Sequence, residues 1–466
     1  RFARNKMDES GLLLFTSDFV LYAFIFVVGI IVIKYINPFR HVVKRYAIPG
    51  LKPSDPALGN LVEVSLAGSF HQFLTNLHRQ YGDVASFYLG RRLVVSTTSV
   101  LPRDGRQGLP FLLLEPFLLE KGLAPPRQAG RQRAHRAASG SAPDQQQQYR
   151  TWSQLAEKLA ERLAAEPEDQ QVALGARMRE LATEGFLVTP LGRLFLTHAD
   201  PLHFLQNLHT CWGELERHLN GSVPSEGSNR CNKFRKVKSA IFTAIEEIIQ
   251  LVKQTPVAEI DGSWLGDIIH SEQPDDTVLA HVLLFIYGTF MPTQSLLTWC
   301  LYDLAAHPDQ QDKVRSELRA ELDSRLLDTV DELQRLCITR HTLRETARFH
   351  CVVPFTAAML EADAELRPYK IPARTLVVQA SQNQLLSRNQ HDRFDPERFN
   401  EERLKKFPSD STEMPGLEIA YDEATVYLSV LLRKFRFRLV AEQKVTPIYG
   451  HLAYPADEVF VTVEKI

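Results

Sequence analysis

Disulfide chemistry has little to work with in this chain. Its 466 residues hold five cysteines, Cys211, Cys231, Cys300, Cys337 and Cys351, with no C-x-x-C pair among them. An odd, scattered set excludes a disulfide framework and reads as reduced thiols facing the cytosol. Excess charge is also missing. Lys and Arg total 54 against 56 Asp and Glu, a net charge of −2, which excludes a global nucleic-acid footprint. What is present is apolar: 44% hydrophobic residues, enough for a large core in one large domain or two or three ordinary ones.

The N-terminal run LLLFTSDFVLYAFIFVVGIIVI, Leu12 to Ile33, carries a single charge, Asp18. About 20 apolar residues cross a bilayer core. Asp18 would cost roughly 3 kcal/mol at the bilayer centre and less near an interface. The sequence after it, YINPFRHVVKRY, is bulky and basic, with no small-residue cleavage site. The run therefore predicts a retained transmembrane anchor at 12–33 rather than a cleaved signal; a short buried core helix is the alternative. Arg1 is no initiator. With Met7 as the start, no Lys or Arg precedes the run, while Lys34, Arg40, Lys44 and Arg45 follow it and place the main domain in the cytosol. A basic, Pro-rich linker, 34–60, contains Pro49, Pro53 and Pro56. The remaining domain is expected at 61–466.

Within it, Phe70, Phe73, Leu74 and Leu77 recur at helical spacing and Tyr81-Gly82 ends the helix. Two β-rich runs flank Gly90. From Leu101 to Gln148 no helical or strand period supports a core. That stretch reads as a disordered tract, or as sequence translated out of frame. Its Arg127, Arg131, Arg133 and Arg136 could bind phosphates, but no aromatics interleave them. Helical patterning returns at Trp152, and Phe242 to Gln254 is amphipathic.

The segment FPSDSTEMPGLEIAYDEATVYLSVLLRKFRF, Phe407 to Phe437, resembles the haem-binding loop and following helix of the cytochromes P450. Phe407, Gly416, Ala420, Glu423 and Leu428 fall at that family's spacing, while Met414 stands where the iron-ligating Cys belongs. Asp410 replaces the loop Gly, and Thr412 the loop Arg. A thiolate below haem iron favours O–O cleavage; a thioether is neutral and raises the iron potential. Met414 is thus either an altered metal ligand or an apolar filler of the loop. The run FHQFLTNLHRQYGDVASFYLGRRLVVS, Phe70 to Ser96, is most similar to the orphan P450 family 20.

Thr277 to His307 resembles the family's long central helix, and TWCLYDLAAHPDQQDKVRSEL matches its continuation. Alignment on Trp299 puts Gly288 and Thr289 beside the expected oxygen site. Met291 and Pro292 take the positions of the acid–Thr pair that relays protons, a task neither performs. Thr293 lies one residue on, about 100° round the helix, as a weak substitute. Pro292 is expected to kink the helix. The resemblance assigns Glu345, Arg348 and Arg398 to a buried structural triad. Glu214/Arg217 and Glu332/Arg335 share its E-x-x-R spacing as ordinary helix pairs.

The expected fold is mainly α with small β-sheets, the cytochrome P450 fold, preceded by one transmembrane helix. The resemblance implies haem, a small lipophilic substrate, NADPH–cytochrome P450 reductase as partner, and the endoplasmic reticulum. It implies monooxygenase activity, which Met414, Met291 and Pro292 would impair. The alternative is a non-catalytic, P450-like membrane protein that binds haem or a small molecule; an oxygen-independent isomerase would also need the missing Cys. Lys405, Lys406, Arg433, Lys434, Arg436 and Arg438 form either a docking face for an acidic reductase or solvated charge.

Overall fold

The structure, a computed structural model, describes residues 48–99, 142–167, 169–189, 200–254, 275–360, 362–366, 368–380, 393–400 and 417–466. The expected anchor, Leu12 to Ile33, lies outside them. Among the described residues no helix is long and apolar enough to cross a membrane.

Helices α1 (Leu61–Leu66) and α2 (Phe70–Tyr81) come first. The Ser69 hydroxyl caps α2 by accepting from the Gln72 amide, relieving one unpaired donor. Gly82, at φ 88°, ends it in backbone that glycine adopts without steric cost. Strands β1 (Val84–Leu89) and β2 (Arg92–Thr97) form an antiparallel hairpin on either side of Gly90. Residues assigned to the linker join it. The Leu51 amide donates to the Ser86 carbonyl at 2.9 Å, and the Ser86 amide to the Pro49 carbonyl at 2.8 Å. Gly50 permits this approach, since a Cβ there would lie 2.0 Å from the Ser86 carbonyl oxygen. Ile48 to Asn60 is therefore an ordered edge of the domain rather than a spacer.

Next come α3 (Ala142–Ala165), the short strand β3 (Val172–Ala173), α4 (Leu174–Leu187), α5 (Pro201–Leu219) and α6 (Asn229–Gln254). Helix α3 begins ten residues before Trp152, so Gln145 to Gln148 are helical, contrary to the expectation of no helical period through Gln148. Tyr149 and Trp152 are both buried, and their packing holds the polar turn that precedes them. Helix α7 (Asp275–Ala306) runs unbroken through Pro292. It is followed by α8 (Pro308–Leu322), α9 (Val330–Arg335) and α10 (Cys337–Phe349).

Strands β4 (Phe355–Met359), β5 (Ala364–Leu366), β6 (Tyr369–Ile371) and β7 (Leu376–Ala380) precede a 3₁₀ turn, Pro396–Phe399. Helix α11 (Leu417–Lys434) leads into β8 (Phe435–Leu439), β9 (Pro447–Tyr449), β10 (Ala453–Pro455) and β11 (Phe460–Lys465). The main sheet has the order β1-β2-β7-β4, with β2 and β7 parallel. A three-stranded sheet, β3-β11-β8, leaves β8 at an edge, as FRFRLV suggests.

The centre is helical. Helix α11 packs on α3 and α7, and α7 also packs on α4. Every residue from Glu423 to Leu432 is buried. A helix buried on all sides belongs in the middle of a core. The chain is thus mainly α with small sheets at its margins.

Candidate functional site

Helix α7 carries the turn expected beside oxygen. Pro292 has no amide hydrogen, so the Gly288 carbonyl four residues earlier has no helix donor from it. Thr289 is buried, and its hydroxyl reaches the Ile286 carbonyl only at 3.5 Å. Thr293 is fully buried. Its hydroxyl oxygen lies 2.9 Å from the Thr289 carbonyl and 3.0 Å from Glu423 Oε2 on α11.

A hydroxyl has one hydrogen to give. The Thr289 carbonyl only accepts. The single hydrogen therefore serves either the Thr289 carbonyl or Glu423 Oε2, and a protonated Glu423 satisfies both contacts at once by donating in turn. Burial favours that proton, pushing the Glu423 carboxyl up to about 8 against the lowering effect of its Tyr427 and Thr293 bonds. Tyr427 completes the chain, its phenol donating to Glu423 Oε1 at 2.8 Å. Gly185 on α4 makes room: a Cβ there would lie 2.0 Å from Tyr427 Oη and 2.1 Å from Glu423 Oε1. Thr293 is therefore engaged between α7 and α11. Ala420, one turn before Glu423, is fully buried. Phe407, Met414 and Gly416 lie outside the described residues.

Glu345, Arg348 and Arg398 are brought together. Glu345 on α10 is fully buried, and Arg348 grips its two carboxylate oxygens at 2.6 and 2.7 Å. The fork geometry of guanidinium on carboxylate suits such a desolvated pair. The Asp395 amide adds a bond to Glu345 Oε1 at 2.9 Å, and Arg398 Nε stands 3.6 Å from Oε2, at ion-pair range. The other two E-x-x-R pairs behave differently. Arg217 is 64% exposed, and its partner Glu214 is also held by Arg230 at 2.7 Å. Glu332 pairs with Arg325, while Arg335 turns to Glu321.

A second polar cluster has no obvious sequence signal, because its members are far apart along the chain. Glu216 on α5 accepts from Trp212 Nε1 at 2.9 Å, from the His451 amide at 3.1 Å and from the Tyr454 hydroxyl. Burial raises its carboxyl, and those three bonds oppose the rise. The Tyr287 ring, next to Gly288 on α7, lies 4.6 Å from the Trp212 ring.

The basic residues near the proximal loop are occupied locally. Arg433 donates to the Asp323 and Arg325 carbonyls, Lys434 pairs with Glu157, Arg436 with Asp312, and Arg438 with Glu464. Lys405 and Lys406 lie outside the described residues.

Haem fits this donor set poorly as a thiolate complex. All five cysteines are among the described residues and all are free. Cys211, Cys300 and Cys351 are buried, and burial pushes each thiol up, that of Cys351 to about 12. Cys211 lies on α5, Cys300 on α7 and Cys351 just after α10, none of them in the stretch before α11 where the resemblance sets the iron ligand. Cys337 is exposed at the start of α10, and Cys231 lies in the first turn of α6.

Comparisons with known proteins agree with this architecture. The family model described as Cytochrome P450 matches residues 203–463. Cytochrome P450 20A1 of Bos taurus is 27% identical over 467 residues, covering 96% of this chain and 99% of its own length. The Homo sapiens protein of the same name is 26% identical over 464 residues, with the same coverage. Abscisic acid 8'-hydroxylase 1 of Arabidopsis thaliana is 23% identical over 274 residues, 55% of this chain and 57% of its own. The buried helical centre, the Glu345–Arg348–Arg398 cluster and these matches lead to one assignment: the chain belongs to the cytochrome P450 family, whose cofactor is haem and whose members are monooxygenases working with a redox partner.

Proposed function

We propose that this chain is a membrane-anchored P450 whose monooxygenase chemistry toward a small lipophilic substrate is impaired. The observation that carries the impairment is the turn Met291-Pro292-Thr293. Two of its side chains transfer no proton, and the third is already bound to Glu423 and the Thr289 carbonyl. Met414 at the ligand position adds a neutral thioether where a thiolate would donate electron density. Membrane placement draws support from Leu12 to Ile33, and from exposed apolar residues on the described surface. Leu58 in the turn before α1, and Val62 and Leu66 on α1, are 47%, 45% and 82% exposed on the piece of chain that follows the expected anchor. The cytosolic face of the endoplasmic reticulum suits the basic flank after the anchor. Electron supply by NADPH–cytochrome P450 reductase is proposed on family grounds, since the described basic residues of β8 and the end of α11 are paired within the chain.

Expression of the full chain tests both halves together. The protein should stay in the carbonate-washed membrane pellet and, once purified, hold well under one haem per chain. Met414→Cys should raise that loading in part. Met414→Cys with Thr412→Arg should raise it further, because the Arg would neutralise a propionate whose buried charge is otherwise costly. Release by carbonate would contradict the anchor. Full haem loading of the unaltered chain, unchanged by either variant, would contradict the impairment.

A further inference from the structure

His451 is fully buried, and neither of its ring nitrogens finds a hydrogen-bond partner among the described residues. Its surroundings explain why the ring stays there. The preceding Gly450 sits where a Cβ would lie 2.2 Å from the Glu216 carboxylate, and the His451 amide donates to that same carboxylate. Two residues on, the Ala453 carbonyl accepts from Ser295 and Trp299 of α7, and the Ala453 amide donates to the Val352 carbonyl at 3.0 Å. Three elements thus clamp the backbone on both sides of the imidazole. Among the described residues the ring meets two aromatic neighbours edge-on, Trp212 at 5.3 Å and Phe355 at 5.6 Å between centroids.

An unpaired buried polar group costs about 1–3 kcal/mol. Native cores seldom retain one without a use. From this geometry we infer that His451 is the polar anchor of the substrate site, taking a neutral hydroxyl or carbonyl group on an otherwise aromatic or aliphatic body. The inference rests on the small lipophilic substrate proposed above and sets its polar contact at this cluster. Trp212 supports that reading by linking His451 to Tyr287 and hence to the α7 turn at Gly288. The neutral class follows from the cluster's charge. Burial holds the imidazole well below its ordinary value, so it offers one N–H donor and one nitrogen acceptor. Trp212, Tyr287, Phe355, Glu216 and Tyr454 supply no positive charge, so a carboxylate substrate would enter uncompensated.

Equilibrium dialysis of the purified full chain against naphthalene, 2-naphthol and 2-naphthoate tests this without turnover or haem loading. The wild type should bind 2-naphthol about tenfold more tightly than naphthalene, the ratio that one good hydrogen bond gives, and 2-naphthoate least. His451→Phe should cut the naphthol advantage below about twofold, leave naphthalene binding within a factor of two, and melt at or above the wild-type temperature. His451→Gln, which retains a donor and an acceptor, should keep part of the advantage. A His451→Phe chain that still prefers 2-naphthol tenfold would overturn the proposal. So would one that melts several degrees lower, because the ring would then be a structural group. If a folded wild-type chain bound none of the three probes, the lipophilic-substrate reading itself would fail, and the anchor with it.

Discussion

Glu423 is a carboxyl whose burial favours its proton, and this gives the fold a pH dependence. The folded value of about 8 lies above the ordinary 4.5, so the folded chain keeps a proton that the unfolded chain releases. The resulting stabilisation is complete below about 4.5, declines as pH rises toward 8 and is lost above it. At about 1.4 kcal/mol per unit, the loss is at most roughly 5 kcal/mol. Melting temperature followed from pH 5.5 to 8.5 should therefore fall in the wild type and stay flatter in Glu423→Gln, which stays neutral and keeps both side-chain bonds. Parallel curves would contradict the assignment. Arg348 is the other residue with a large expected effect. Arg348→Ala leaves the fully buried Glu345 without its fork and should cost about 3–5 kcal/mol, seen as loss of folded protein. Arg217→Ala and Arg335→Ala should each cost under about 1 kcal/mol, because both side chains are largely solvated. Equal tolerance at all three would show that Glu345 is not held as described.

At the scale of elements, the seating of the Glu423 and Tyr427 side chains of α11 against α4 depends on Gly185. Gly185→Ala drives a methyl against Glu423 and Tyr427 and should destabilise by about 1–3 kcal/mol or more. Gly213, inside α5, has open space around its missing Cβ, so Gly213→Ala should stabilise by about 0.5–1 kcal/mol. Chemical denaturation of the two variants should give opposite signs; a stable Gly185→Ala would mean that the Glu423 and Tyr427 side chains do not lie against Gly185. Elements were also where the sequence is most legible. Phe70, Phe73, Leu74 and Leu77 announce α2, because a helix face repeats locally. FRFRLV announces the edge strand β8 by its alternation. The first turns of α3 are illegible, since Gln145 to Gln148 have no apolar period and are held by Tyr149 and Trp152 beyond them. The Pro-rich start of the domain misleads in the other direction: prolines suggest a spacer, yet the amides of Leu51 and Ser86 stitch Ile48 to Asn60 to the sheet.

For the whole molecule, ordered motifs make the family readable, because Glu345–Arg348, Arg398 and the Ala420–Glu423 segment follow one another at fixed spacing. What ties them in space is not readable. Thr293 and Glu423 are 130 residues apart, and His451 and Glu216 are 235 apart, so only the packed helices bring them together. The assembled site is proposed to be a P450 fold retained around a centre that lacks its thiolate. The most direct measurement is the absorption spectrum of the purified, reduced full-length protein under carbon monoxide, with haem quantified on the same sample. Substoichiometric haem and no long-wavelength Soret band of the thiolate type are expected. One haem per chain with that band would contradict it.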